Sequence, residues 1–364
     1  MTAVESLLAI AVAVLVALTV LPISRSPSWW VRIPEFPRLQ WFALSAVLLL
    51  LSLLVPDIDR VMAVGCAAVS LACLLYQGWW IFPFTPLKSP EVKQGGAPGA
   101  ERISIVVANV LMSNRDAESL LSQVRKLRPD LLLTLESDDW WESQLDPLVP
   151  DYPHFIKCPQ DDTYGIHLYS RLPLEDAQVE YLVEDTVPSL HVGVRRRGGE
   201  LVRAHFLHPA PPVPMHKADS VERDAELIVL ARTIKDCEEP LIVAGDLNDV
   251  AWSGTTRLFR RISGLLDPRV GRGMFNTFHA EYRFMRWPLD HLFHSAHFRV
   301  SRIARLEPFG SDHFPLYTEL EYVPGSVQEQ APPEPGERDI EEAQNLKERA
   351  SPNQSTAHRP GVEN

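Results

Sequence analysis

The sequence predicts an α/β (α+β) fold with stacked sheets behind an apolar N-terminal region, and three observations predict it. Apolar runs crowd the first 82 residues. Strand-then-helix order recurs between residues 102 and 246. Polar side chains stand where the apolar strands end, the place where open α/β layers collect ligands.

Residues 6–22, SLLAIAVAVLVALTVLP, approach the roughly 20 apolar residues that cross a bilayer core. Residues 41–55, lengthened by Leu39 and Pro56, and residues 61–82 supply two more runs. The expectation is a transmembrane region over residues 1–86 with three spans, near 4–22, 39–56 and 61–82. A cleaved signal peptide fits poorly, because no Lys or Arg precedes the first run and two further runs follow. Trp29 with Trp30, and Trp79 with Trp80, fall where amphipathic rings favour the headgroup boundary. Arg25, Arg32 and Arg38 in the first loop outweigh Arg60 in the second, which favours a cytoplasmic first loop and, with three spans, a cytoplasmic C-terminal part.

Residues 87–100 mix Pro, Gly and charge without periodicity and read as a linker. Residues 324–364 are rich in Pro, Glu and Gln and read as a disordered tail, since they hold too little apolar surface to offset ordering entropy; residues 339–349 could form a short solvated helix, without a persuasive apolar face. Residues 101–323 between them suit one substantial core.

Within that core, RISIVVAN (102–109) is a strand, followed by a helix capped by Ser113 or Asn114 and ended before Pro129. DLLLTLE (130–136) is a second buried strand. Alternation over 189–194 and 201–208 gives two strands joined at RRRGGE, which makes Arg195, Arg196 and Arg197 a solvated strand end. Residues 218–235 have helical spacing, 240–246 form a strand ending in GDLN, and 288–293 and 314–320 complete a strand-rich C-terminal half.

Charge and cysteine narrow the function classes. Lys+Arg 35 against Asp+Glu 47 gives a net charge of −12, which argues against a chain that holds nucleic acid mainly by non-specific phosphate neutralisation. Four cysteines are too few for a disulfide framework. Arg257, Arg260, Arg261, Arg269 and Arg272 offer a candidate nucleic-acid surface, although the first three have the spacing of a solvated helix face after Ser253.

Asn109, Glu136, Asp246, Asn248, Asp290, Asp312 and His313 all lie at or near strand ends. Hard oxygen donors predominate, and these suit Mg²⁺ or Mn²⁺ better than zinc. In GDLN, Gly245 permits close backbone approach, and Asp246 and Asn248 would share a side if the strand continued; the alternative is an Asx-turn. In SDHFP, Asp312 and His313 work jointly only on a turn.

In order and spacing these motifs resemble the endonuclease/exonuclease/phosphatase superfamily, the DNase I-like metal-dependent phosphoesterases. The resemblance runs from Arg102 to about Tyr322 through VAN, LTLE, GIHLYSRLP, HPAPP, GDLN, PLDHLF and SDHFP. It implies a four-layered αββα sandwich with its site at one edge. It also implies that Glu136 holds a divalent metal with Asn109 and Asp312 near it, that Asp246 activates water, and that Asn248 orients phosphate. His208 and His313 would stabilise or protonate oxygens, and Asp290 would orient a histidine or touch metal. His205, three residues before His208, is the competing site histidine. Together with the apolar spans, the resemblance implies a membrane-anchored member of bacterial type, in an inner or plasma membrane. The expected substrate is a phosphodiester of nucleic acid or of a phospholipid or phosphoinositide, nucleic acid being favoured. The alternative is a catalytically weak membrane adaptor that binds a phosphorylated partner.

Overall fold

Alternate residues of the central strands face one shared apolar layer, and that alternation builds two sheets packed face to face. The computed structural model describes residues 2–56, 58–212 and 219–349. The N-terminal region holds α1 (Ala3–Val20), α2 (Trp29–Arg32), α3 (Arg38–Leu54) and α4 (Arg60–Ile81). The first half of the sandwich follows as β1 (Arg102–Asn109), α5 (Ala117–Leu127), β2 (Leu131–Leu135), α6 (Asp139–Leu145), β3 (His154–Cys158) and β4 (Ile166–Ser170). The second half starts with β5 (Leu174–Glu180), β6 (Ser189–Arg195), β7 (Leu201–Leu207), α7 (Val221–Ile234) and β8 (Leu241–Asp246). It ends with α8 (Gly254–Ser263), β9 (Asp290–His294), β10 (Phe298–Arg305), β11 (Leu316–Tyr322) and α9 (Glu337–Arg349).

One sheet has the order β10-β11-β1-β2-β4-β3 and the other β5-β6-β7-β8-β9. Pairing is parallel between β1 and β2 and between β7 and β8, and antiparallel elsewhere. Ile105, Leu133, Phe206 and Ala244 meet between the sheets. On the outer faces, Val106, Leu132 and Tyr317 meet α5 and α6, while Val243 and Phe293 meet α7 and α8. These are the four layers expected, in the arrangement of the DNase I-like fold. Helix α5 begins later than expected, because Asp116 rather than Ser113 or Asn114 caps it by accepting from the Ser119 N–H.

The helical region differs from the sandwich in its exterior, since its interior also packs Leu8, Val12, Leu15 and Leu48. Ser45, Ser70 and Gln77 are buried among α1, α3 and α4, and Gln77 donates to Thr19 Oγ1 at 3.1 Å. Leu54, Val61 and Leu75 point outward. Polar groups inside and apolar groups outside suit a lipid surround. Two helical stretches, Ala3–Ser24 and Arg60–Phe84, are long and apolar enough to cross a membrane. The second expected span, near 39–56, falls in a pair, Trp29–Glu35 and Arg38–Leu54, bent by 68°, so the count among the described residues is two, or three if that pair is one span.

Two segments expected to lack structure are ordered by contacts the local sequence does not announce. Residues 87–100 lie along β10: Gly95 N–H donates to Val300 O at 2.8 Å, and Val92 is fully buried between the sheets. In the expected disordered tail, α9 seats Ala343 against α7 and α8, and Arg261 grips Asp339 with two bonds of 2.8 Å. The remainder of that tail, residues 350–364, lies outside the described residues.

Candidate active site

Strand register brings the polar residues together. Parallel pairing of β1 with β2 sets Asn109 beside Leu135, so Glu136 projects next to the asparagine. Antiparallel pairing of β8 with β9 places Asp246 opposite Asp290. Parallel pairing of β7 with β8 brings His208 to the same edge, where Leu207 lies opposite Gly245. The turn before β11, which itself pairs with β1, delivers Asp312 and His313. The ends of both sheets thus converge.

Gly245 is required at that edge. A Cβ there would sit 1.9 Å from Leu207 O, and its φ of +152° disfavours other residues. Gly165, in the GIHLYSRLP segment, faces a comparable obstacle, since a Cβ would lie 1.9 Å from Ser137 O. Glu136 and Asn248 carry left-handed backbone, φ 59° and 48°, although neither is glycine. Such strain persists where surrounding bonds hold it. Glu136 is held by Asn109 Nδ2 at 2.8 Å and by the Met112 N–H at 3.3 Å.

Asn109 connects the two halves of the site. Its Nδ2 also donates to Asp246 Oδ2 at 3.1 Å, and its Oδ1 accepts from the Leu111 N–H at 3.0 Å. Of the two readings of GDLN, a continued strand and an Asx-turn, the structure has the turn. The strand stops at Asp246, whose Oδ1 accepts the Asn248 N–H at 2.9 Å in an Asx-turn. Both side chains nonetheless line one cavity. One Asn248 amide N–H is used on Pro209 O at 2.9 Å, and a second N–H is left on that amide.

His313 Nδ1 lies 2.7 Å from Asp290 Oδ2, and its Nε2 lies 3.5 Å from Asp246 Oδ2. Burial opposes a charge on this imidazole, but Asp290 and Asp246 outweigh it and push its pKa up to about 10. His208 Nε2 is 3.9 Å from Asp246 Oδ2, and burial holds that ring below the usual histidine range. Burial raises both the Asp246 and Glu136 carboxyls. Four carboxylates, Glu136, Asp246, Asp290 and Asp312, therefore share a site in which few cations compensate them. Asp290 Oδ1 is buried with no hydrogen-bond partner. An oxygen-rich, under-compensated group of this kind fits a divalent cation. Asp246, Asp290 and His313 form a buried group whose ligand atoms lie within 4.8 Å of one another, close enough to hold a metal ion.

His205 is separated from this group by strand alternation. Ala204 and Phe206 face the inter-sheet core, so His205 faces outward, where its Nδ1 lies 2.7 Å from His191 Nδ1. His291 is a buried structural residue, 2.9 Å from Asp249 O and 2.7 Å from an Arg269 nitrogen. The candidate nucleic-acid arginines are spent elsewhere. Arg260 pairs with Glu91, Arg261 with Asp339 and Arg269 with Asp267, Arg272 donates to Val92 O, and Arg257 lies over the Trp80 ring. The strand-end triplet is paired too, Arg195 with Glu175, Arg196 with Glu101 and Arg197 with Asp130; Arg196 is buried rather than solvated.

Sequence reasoning missed the supports and walls of the site. Ser311 Oγ donates to Asn109 O at 2.8 Å and accepts the His313 N–H at 3.0 Å, which ties the histidine turn to β1. Arg223 donates to Asn248 O at 2.7 Å and so fixes the GDLN turn. A cavity of about 770 Å³ opens over Glu136, Asp246, Asp312 and His313. Its walls include Trp29, Ile33 and Phe36 of the N-terminal region and Trp287 beside the PLDHLF motif. Only the adjacency of Trp287 to that motif was visible in the sequence.

A family model for the Endonuclease/Exonuclease/phosphatase family matches residues 106–313, more than half of the chain. The chain belongs to this family and is a phosphoesterase of its type. Solved structures share the fold at low identity. D. rerio TDP2, complexed with a single-strand DNA product, is 18% identical with a TM-score of 0.51, covering 60% of this chain and 99% of that one. An endonuclease/exonuclease/phosphatase family protein from Bacteroides thetaiotaomicron is 18% identical with a TM-score of 0.50, covering 61% and 98%. The human Nocturnin catalytic domain, with bound sulfate, is 17% identical with a TM-score of 0.50, covering 61% and 95%. No curated protein matches the sequence.

Proposed function

We propose that this chain is a membrane-anchored hydrolase that cleaves a phosphoester, a diester in the first place, with Mg²⁺ or Mn²⁺. The observation that carries the reading is the placement of Asp246 between the Asn109 amide, 3.1 Å away, and the His313 imidazole, 3.5 Å away, at the floor of a cavity. Glu136, with Asp312 and Asn109 beside it, would hold the cation. When bound, such a cation polarises a phosphoryl oxygen and neutralises developing charge.

The chain's own groups supply the rest. Asp246 accepts a proton from the attacking water as its oxygen bonds to phosphorus. The remaining Asn248 N–H orients a phosphoryl oxygen. His313, kept protonated by Asp290, faces the phosphoryl group as a cation and gives its Nε2 proton to the leaving oxygen as the phosphorus–oxygen bond breaks. His208, whose pKa burial lowers, lies beside Asp246 within reach of a bound oxygen.

The outward apolar faces of the helical region support an anchor in a bilayer, and the arginines of the first loop support a cytoplasmic site. The short distances within Asp246, Asp290 and His313 favour a second place for the cation, reached if His313 releases Asp290.

The test is hydrolysis of bis(p-nitrophenyl) phosphate by the detergent-solubilised full chain, alongside direct Mn²⁺ binding. Asp246→Asn is expected to lower kcat by roughly 10³-fold, in the range by which catalytic groups act. Glu136→Gln is expected to weaken Mn²⁺ binding, whereas loss of binding in Asp290→Asn alone would move the cation to the second place. Full turnover in Asp246→Asn would overturn the mechanism.

A further inference from the structure

The cavity over the catalytic groups has an unusual second wall. On one side lie Glu136, Asp246 and His313; on the other lie Trp29, Ile33 and Phe36, which belong to the connection leading into the candidate span of α3. That connection is fastened to the sandwich. Arg32 donates to Thr255 Oγ1 at 2.8 Å and lies 3.7 Å from Asp224, and Trp252 Nε1 donates to Glu35 O at 2.8 Å. Ile81 and Phe84, at the end of α4, join Trp252 and Leu289 in one apolar cluster. The catalytic edge is therefore seated directly on the ends of the apolar helices.

We propose that this cavity seats the apolar part of a membrane lipid whose phosphoester is the group cleaved at Asp246, an inference that rests on the hydrolase reading above. Three observations choose this occupant. First, the walls are predominantly aromatic and aliphatic, and the cavity has the size of clefts that enclose organic ligands of moderate size. Second, the loop carrying Phe284 and Met285 forms the rim. Phe284 is 89% exposed and Met285 52%, and the Phe284 carbonyl accepts from Gln40 Nε2 at 2.6 Å, which fixes the rim to the start of α3. Beyond that point the outward face of α3 is apolar, through Leu50, Leu53 and Leu54. Rim and wall thus adjoin the start of a candidate span with an apolar exterior, which puts the cavity mouth at the end of that helix. Third, the charge is wrong for a polyanion. Among the described residues Arg32 is the one Lys or Arg lining the cavity, and it is paired with Glu35 and Asp224. A nucleic-acid strand would bring several phosphates to a lining that offers one guanidinium, already paired, with Arg283 and Arg286 beside the rim and not on the lining, whereas a lipid brings its single phosphoester to the catalytic groups and its chain to the aromatic wall.

Alkyl p-nitrophenyl phosphodiesters of methyl, butyl and octyl chain length test this with the full chain in a phosphate-free glycoside detergent and Mn²⁺. The octyl ester is expected to exceed the methyl ester at least 10-fold in kcat/KM. In Ile33→Asp and in Met285→Asp, two exposed wall positions, that ratio is expected to fall at least fivefold. Micelle partitioning is common to all three proteins, so the change in ratio reports the wall itself, and melting curves verify that each variant is folded. Turnover of the methyl ester with no gain on the octyl ester, or a ratio untouched by both variants, overturns the lipid assignment and leaves the hydrolase reading standing. Faster cleavage of a single-stranded oligonucleotide than of any alkyl ester overturns it in favour of nucleic acid. Absence of turnover of every ester, with Mn²⁺ unbound, sinks both readings together.

Discussion

The sandwich and the helical region solve opposite burial problems with the same side chains. In the sandwich, leucine, valine and isoleucine fill the layer between sheets, and charged groups face outward. In the helical region, Ser45, Ser70 and Gln77 share the inside with Leu8, Leu15 and Leu48, while further leucines and valines cover the exterior. One chain therefore carries a surface suited to water and another suited to lipid, and the candidate site lies between them. At that boundary neither water nor lipid can satisfy a charge, and protein groups do so instead: Arg32 with Glu35 and Asp224, Arg38 with Glu35 and Gln77. The difference teaches where ion pairs matter.

The largest break in this comparison is Arg32→Ala. Removing this partner of a buried set leaves Glu35 with Arg38 and Asp224 with Arg223, at a cost of up to about 3–5 kcal/mol, the range for breaking buried pairs. A marked fall in the melting temperature of the detergent-solubilised chain is expected, together with weakened seating of the helices on the sandwich. An unchanged melting curve would mean that the boundary is held by its apolar cluster alone.

The part of the molecule that follows local periodicity was legible in sequence. Strands such as Arg102–Asn109 and Leu241–Asp246 are apolar runs that end in polar residues, and their ends line the candidate site. The pairing of Asp290 with His313 could be anticipated only through the family resemblance, because 23 residues separate them. Alternation in β7 was enough to separate His208 from His205 once the inward-facing residues were known. What sequence did not carry was long-range docking. Helix α9 has almost no apolar face and is seated by Ala343 and the Arg261–Asp339 pair, whose partners lie 78 residues apart. The lining of the cavity by Trp29 and Ile33 likewise depends on how an N-terminal connection folds back over a site more than 100 residues away. The bend of 68° before α3 is part of that fold-back, and spans read near 4–22, 39–56 and 61–82 had no place for it.

A second, smaller effect sharpens the comparison from inside the sandwich. Glu226 on α7 is buried, and its Oε1 has no hydrogen-bond partner. Burial, with Glu184 nearby, pushes its pKa up to about 8 from an ordinary 4.5. The folded state thus favours the protonated acid. Its contribution is fully present below the unfolded pKa and is lost as pH rises through 8, with a slope of at most about 1.4 kcal/mol per pH unit between the two values. Glu226→Gln is expected to flatten the dependence of stability on pH between 5 and 9 and to stabilise the chain most at the alkaline end. Chemical denaturation across that range measures it. A variant with the wild-type slope would assign the pH dependence to other groups.

The smallest effect is expected where the same chemistry as Arg32 meets water. Arg195 faces Glu175 with both ends of its guanidinium, and its Nε lies 2.8 Å from Glu175 Oε1. The geometry is as good as any ion pair at the boundary, yet both side chains are more than a third exposed. Water solvates either partner when the other is removed, and salt screens their attraction. Arg195→Ala is therefore expected to leave the melting temperature unresolved from wild type at physiological salt, in contrast to Arg32→Ala measured alongside it. A comparable loss from both would show that pairing geometry, rather than the solvent around the pair, decides the cost. The boundary would then lose its special place in the energetics of this chain.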